Sequence, residues 1–162
     1  MLVTAPVRGD GRCLFRAVVR GRAHNGGRLA KWSERIEREE ADALRRRCVD
    51  ELVVHRELLS QYCVLGLGDG DADGDAEFQA YCKRMRHPKT YGGEPELLMT
   101  ALLLHCPIAV YVRQRGAGAP GTGPLRQIQV YGRQYATVPL YVLYSDGMHY
   151  DALLPTASKA AP

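Results

Sequence analysis

The sequence predicts an α+β domain, with helices packed on a small and mostly antiparallel sheet. Three observations predict it. Apolar residues recur every three to four positions through the first two-thirds of the chain. Short β-prone runs separated by tight turns fill the last third, so helices come first and strands follow as a block. The 162 residues are 46% hydrophobic and 25% charged, the balance of a globular unit with a core of its own. No apolar run reaches the roughly 18 residues that a membrane helix needs. The N-terminal "MLVTAPVRGDG" is too short in its apolar part for a secretory signal.

Taken in order, residues 10–13 read as a turn and Leu14 to about Arg20 as a helix, with "HNGGR" at 24–28 as a loop. Ser33 caps a long helix expected to run to residue 59. Its apolar residues Ile36, Ala43, Leu44, Cys48, Leu52 and Leu59 share one face, and its charged face reads as solvated. "GLGDGDADGDAEF" at 66–78 resembles a calcium loop, with Asp69, Asp71 and Asp73 at alternate positions. The twelfth position is Ala80 where a bidentate glutamate is needed, so weak or no calcium binding is expected. The segment instead reads as a capping loop before a helix at about 75–85. After "HPKTYGGEP", "ELLMTALLLH" is apolar on most sides and predicts a buried helix. Strands are expected at 108–112, 127–132, 139–144 and 150–154, with a glycine-rich loop at 115–126.

The net charge is +4, and arginine supplies 18 of the 22 basic residues. No basic stripe interleaved with aromatics occurs, so no nucleic-acid partner is expected. Five cysteines, at 13, 48, 63, 82 and 106, are odd in number and lack CxxC spacing. They predict neither a zinc site nor a disulfide framework, but reduced thiols in a cytosol-like compartment. Cys48, Cys63, Cys82 and Cys106 read as small core residues.

Cys13 is different, because it stands where a tight turn meets a helix. The first N–H groups of a helix are unsatisfied and its dipole favours negative charge, which lowers a thiol pKa there. The backbone N–H groups of Asp10-Gly11-Arg12 are able to converge as an oxyanion hole, and Gly11 adopts shapes closed to other residues. Such a thiolate needs a base. His24, His55, His87 and His105 each have a structural explanation. His149 follows the turn "YSDG" and starts a strand, on which alternation places Asp151 on the same face. Cys13, His149 and Asp151 are thus candidates for a Cys-His-Asp arrangement. Spacing leaves an alternative open, in which Asp151 is a plain polar strand residue and Asp10 holds His149.

"DGRCLFRAV" resembles the cysteine box of the ovarian tumour (OTU) family of cysteine proteases, Asp-Gly-x-Cys-Leu-Phe-Arg. "MRHPKTYGGEPELLMTALLL" resembles that family's central segment, with Tyr91 at its aromatic position. "MHYDAL" resembles its terminal His-x-Asp or His-x-Asn box. The three stand in family order and span residues 10 to 154. The resemblance implies a papain-like OTU fold, with residues 1–155 as one catalytic domain and 156–162 as a flexible tail. It implies a deubiquitinase that cleaves isopeptide or peptide bonds after the C-terminal glycine of ubiquitin or a similar modifier, without metal or cofactor. Cys13 matches the nucleophile, His149 the base and Asp151 its orienting residue, and Asp10 matches the acidic start of the cysteine box, which is often counted with the catalytic residues and whose expected task is to shape the loop. Gly11 and Arg12, in the loop beside the nucleophile, are expected to bind substrate. Tyr91, Gly92, Gly93 and Glu94 read either as a helix-entry turn or as the wall of a narrow channel for the modifier's glycines. Expected partners are ubiquitin, polyubiquitin chains or other ubiquitin-like modifiers, with the chain acting as a monomer away from membranes. Two rivals remain at this level: a catalytically silent ubiquitin-binding module, against which the intact Cys13, His149 and Asp151 speak, and a viral-type polyprotein protease.

Overall fold

A computed structural model describes residues 1–61, 72–114, 123–145 and 147–156. Cys63, Asp69 and Asp71, most of the 115–126 loop and all but the first residue of the expected tail lie outside them. Thr156 itself donates its backbone N–H to Met1 O at 2.8 Å. The chain folds as β1 (Leu2–Ala5), α1 (Cys13–Asn25), a 3-10 turn (Leu29–Lys31), α2 (Glu34–Val54), α3 (Arg56–Gln61), α4 (Ala72–Met85), α5 (Glu94–Leu104), β2 (Ile108–Arg113), β3 (Leu125–Tyr131), β4 (Leu140–Ser145) and β5 (His149–Pro155). Among the described residues, five strands form one sheet in the order β1-β5-β4-β2-β3. Three of the four pairings are antiparallel; β2 and β4 run parallel. No helix among the described residues is long and apolar enough to cross a membrane.

The core forms around α1. Its Leu14, Phe15, Ala17, Val18 and Val19 are all buried, with β4 and β5 against one side and α2 against another. The helix runs past the expected stop near Arg20. Gly21 does not end it, because a Cβ there would stand 3.2 Å from Leu140 Cδ2, so the glycine marks where α1 crosses β4 closely. The helix ends instead at Gly26 and Gly27, the latter at φ +66°, with Arg22 and His24 in its last turn facing the negative end of the dipole.

Ser33 caps α2 as its sequence predicts, accepting from Ile36 N at 3.3 Å. The single helix expected to residue 59 is broken at His55. After Leu52 the buried face runs out: Val53 and Val54 are exposed and β-branched, so neither packing nor propensity carries the helix on. The polar side of α2 also departs from expectation, because Glu37 and Arg45 are fully buried. α4 begins three residues earlier than expected, at Ala72. β1 had no sequence signal, since its four residues pair with β5 from the far end of the chain. β3, at the sheet edge, keeps Arg126, Gln127 and Gln129 outward, which blunts an exposed edge.

Glu37 joins α1 to α2. Its carboxylate accepts from Arg16 Nη1 at 3.2 Å, Arg20 Nε at 2.6 Å and Trp32 Nε1 at 3.0 Å. Removing one partner of a buried ion pair strands the other charge at a cost of about 3–5 kcal/mol. Glu37→Ala is therefore expected to destabilise the fold by about that amount, measured by urea denaturation. A loss below about 1 kcal/mol, the range of an exposed pair, would place this cluster in water.

Candidate active site

Cys13 is the first residue of α1 and is fully buried. No side chain caps the helix start, so its first N–H groups are left for the site. The N–H groups of Tyr150 and Leu14 bond to the sulfur, and Sγ lies 3.7 Å from Met148 O. The thiol therefore contacts backbone on both sides of His149.

His149 begins β5 after a turn whose Gly147 has φ +81°. Strand alternation brings Asp151 to its face, and His149 Nε2 lies 2.9 Å from Asp151 Oδ1. A carboxylate only accepts, so Nε2 is the nitrogen that donates, and the other ring nitrogen is Nδ1. That nitrogen faces Gly9, where a Cβ would be 3.8 Å away. Asp151 Oδ1 also accepts from Val7 N at 2.9 Å, which ties the acid to the segment after β1.

Asp10 lies elsewhere. Its two oxygens are gripped by Arg16, Nε to Oδ1 at 3.1 Å and Nη2 to Oδ2 at 2.8 Å. The Arg12 side chain binds Asp42 on α2, Nε to Oδ1 at 2.7 Å, so only its backbone is free to face a substrate. Gly11 packs flush on the 87–90 turn: a Cβ there would stand 2.2–2.5 Å from the Lys89 backbone.

In the free site, burial pushes the Cys13 thiol up; the N–H groups of Tyr150 and Leu14 pull it down, and the charges of Asp10 and Asp151 raise it again. The lowering expected from a helix N-terminus is thus outweighed by desolvation. A thiolate here needs a nearby positive charge to offset that burial. Cys48 and Cys82 are buried as expected, and Cys106 is half-buried.

A cavity of about 510 Å³ adjoins this corner. The 90–97 segment forms one wall; Ile128 and Tyr131 of β3, with Gly147, Met148 and Tyr150, form another. Gly93 caps α5 and donates its N–H to Glu96 Oε2 at 2.7 Å, while Tyr81 OH bonds to Oε1. Glu96 is fully buried, which pushes its carboxyl up. Gly92 packs on Leu14 and Glu96, whereas a Cβ at Gly93 would meet nothing within 4 Å. Both readings of the Tyr91–Glu94 stretch therefore have a physical basis: Gly92 for close packing at the helix entry, Gly93 for open space in the wall.

Sequence reasoning missed Arg16, Glu37, Arg45 and Glu96, the buried charges that hold this site. Arg16 closes the Asp-Gly-x-Cys-Leu-Phe-Arg box and Glu96 stands in the central segment, but nothing local marks Glu37 or Arg45. Arg45 stands in a run of three arginines, and only the register of α2 buries the first and exposes the other two.

A family model described as OTU-like cysteine protease matches residues 8–150. The chain is 40% identical over 156 residues to OVARIAN TUMOR DOMAIN-containing deubiquitinating enzyme 4 of Arabidopsis thaliana, a match that covers 96% of this chain and 44% of the relative. It thus spans less than half of that protein. The crystal structure of the viral OTU domain protease from Taggert virus is similar with a TM-score of 0.70 at 12% identity, covering 98% of this chain and 82% of that one. A structure of an OTU domain in complex with ubiquitin is similar with a TM-score of 0.58 at 19% identity, covering 94% and 69%. These likenesses bear out the α+β fold predicted from the sequence.

The two glycines are expected to separate on substitution. Gly11→Ala forces the loop off Lys89, an overpacking cost of about 1–3 kcal/mol or more. Gly93→Ala projects into open space and costs under about 1 kcal/mol as a change of cap. Urea denaturation of both variants checks this, and equal losses would refute the close packing at Gly11.

Proposed function

Since the chain belongs to the family of OTU-like cysteine proteases, we propose that it is a cysteine-dependent deubiquitinase, in which Cys13 is the nucleophile, His149 the base and Asp151 the residue that orients the ring. The observation that carries this reading is the 2.9 Å His149–Asp151 bond beside a thiol that touches backbone on both sides of His149. Asp10 serves the loop, because its carboxylate is occupied by Arg16.

The Cys13 proton passes to His149 Nδ1, and Asp151 steadies the imidazolium. The thiolate adds to the carbonyl of the modifier's last glycine, and the negative charge on that oxygen falls to the N–H groups at the start of α1. The tetrahedral species collapses with cleavage of the C–N bond, and His149 gives its proton to the departing amine. Neutral His149 then takes a proton from water as the water attacks the thioester. Collapse releases the modifier's carboxylate and returns the thiol. The cavity walled by Tyr91, Gly92, Gly93 and Glu94 suits a tail without side chains at its end, which supports ubiquitin or a similar modifier as substrate.

A panel of ubiquitin, ubiquitin-like and plain peptide reporters tests the substrate class. Hydrolysis of a modifier reporter is expected, and cleavage of the plain peptides alone would sink the reading. An electrophilic ubiquitin probe should label Cys13 alone among the five cysteines, and Cys13→Ala should abolish turnover while leaving the fold intact.

Asp151→Ala should lower kcat far more than it raises KM. The loss should stay below the roughly 10⁴-fold seen on disabling the orienting acid of the best-studied serine triad. Asp151→Asn should retain much of the activity, because an amide oxygen accepts from both Nε2–H and Val7 N–H. Near-normal kcat in Asp151→Ala, with collapse in Asp10→Asn on an intact fold, would move the orienting role to Asp10.

A further inference from the structure

Arg45 is fully buried on α2, yet among the described residues it forms no ion pair. Its guanidinium lies 4.6 Å from the centre of the Phe15 ring and bonds instead to backbone carbonyls. Nη1 donates to Met85 O at 3.0 Å and Thr90 O at 2.9 Å; Nη2 donates to Gly11 O at 2.6 Å and, more weakly, to Pro88 O at 3.3 Å. Nε finds no partner. Burying a cation without a carboxylate is costly. A packing role alone would be met by an apolar side chain, so the value of the charge lies in what those carbonyls do.

One of them belongs to the loop before the nucleophile. The Gly11–Arg12 peptide is planar and trans, so its C=O and N–H point to opposite edges. With the carbonyl drawn toward α2, the Arg12 N–H points away from α2. The Cys13 sulfur lies against the Met148 and Tyr150 backbone, on the side of α1 that packs on β5. Arg12 O closes the first helical turn by accepting from Arg16 N at 2.8 Å, so residue 12 cannot rotate independently of α1.

We propose that Arg45 is a positioning residue for the oxyanion: by holding Gly11 O it fixes the Arg12 N–H as a donor to the carbonyl oxygen that Cys13 attacks. This rests on the reading of Cys13 as nucleophile. Two effects act together. The bond fixes the plane of the peptide, so the donor needs no reorganisation when charge develops. A charge-assisted bond to the C=O also polarises the amide, which makes its N–H a stronger donor. Lysine would not substitute, since one compact ammonium cannot span carbonyls from both the 10–12 loop and the 85–90 segment.

Arg45→Lys and Arg45→Met separate this role from a structural one when two reactions of Cys13 are compared. Hydrolysis of a ubiquitin amide reporter passes through an oxyanion; alkylation by iodoacetamide does not. We expect kcat to fall about 10²- to 10³-fold, the loss typical of one oxyanion donor, with KM and the alkylation rate each within about threefold of wild type. A parallel fall in alkylation, or an unchanged kcat, would overturn the proposal. Should both variants unfold, a semisynthetic chain joined at Cys13 with an ester in place of the Gly11–Arg12 amide deletes the N–H and leaves Arg45 intact. The same loss is expected there, and full activity would overturn the proposal. The wild-type chain, assayed alongside, distinguishes the two levels: an inert wild type overturns the functional reading and this inference with it, whereas an active wild type with active variants overturns this inference alone.

Discussion

A thiol placed at the first residue of a helix depends on the few residues before it, and these form no ladder of their own. Here the loop at 10–12 is held by guanidinium groups, those of Arg16 and Arg45 fully buried. Arg45 takes Gly11 O, Arg16 takes both oxygens of Asp10, and Arg12 is anchored to Asp42. Each contact joins the loop to a helix, so the position of the sulfur is set by the packing of α1 on α2. Glu37, between Arg16 and Arg20, balances the charge that this packing buries.

The other half of the site comes from the sheet. β5 presents His149 and Asp151 on one face, and pairing with β4 fixes their height relative to α1. β1 covers the other edge of β5, and the chain leaving it supplies Val7 N–H to Asp151. The chain leaving β1 thus holds, through Val7, the acid that bonds the histidine. Helix and sheet meet at the Cys13 sulfur, which is bonded by one N–H from each.

Much of this was legible in the sequence. The turn before Cys13, the cap at Ser33, the strands from residue 108 onward and the alternation of His149 with Asp151 all follow from local chemistry. What was not legible depends on register and on long-range pairing. β1 has four residues and a partner about 150 positions away, so no local pattern marks it. Arg45 and Glu37 lie among other charges on α2, and an arginine that faces the core has the same letter as one that faces water. Gly21 looks like a helix stop until the neighbouring Leu140 is seen to need its space. The lowered thiol pKa expected from the dipole was a correct local effect overridden by burial, which no local pattern reports.

That the clasps are arginines has a consequence for how the protein responds to acidity. A guanidinium keeps its proton across the whole range in which proteins work, even where burial draws Arg45 below its ordinary value. A buried lysine in its place would release its proton readily and loosen the loop as it did so. The grip of these guanidinium groups on the loop is therefore indifferent to pH across neutrality. A pH–rate profile of this protein would carry no signal from the guanidinium groups that hold the loop.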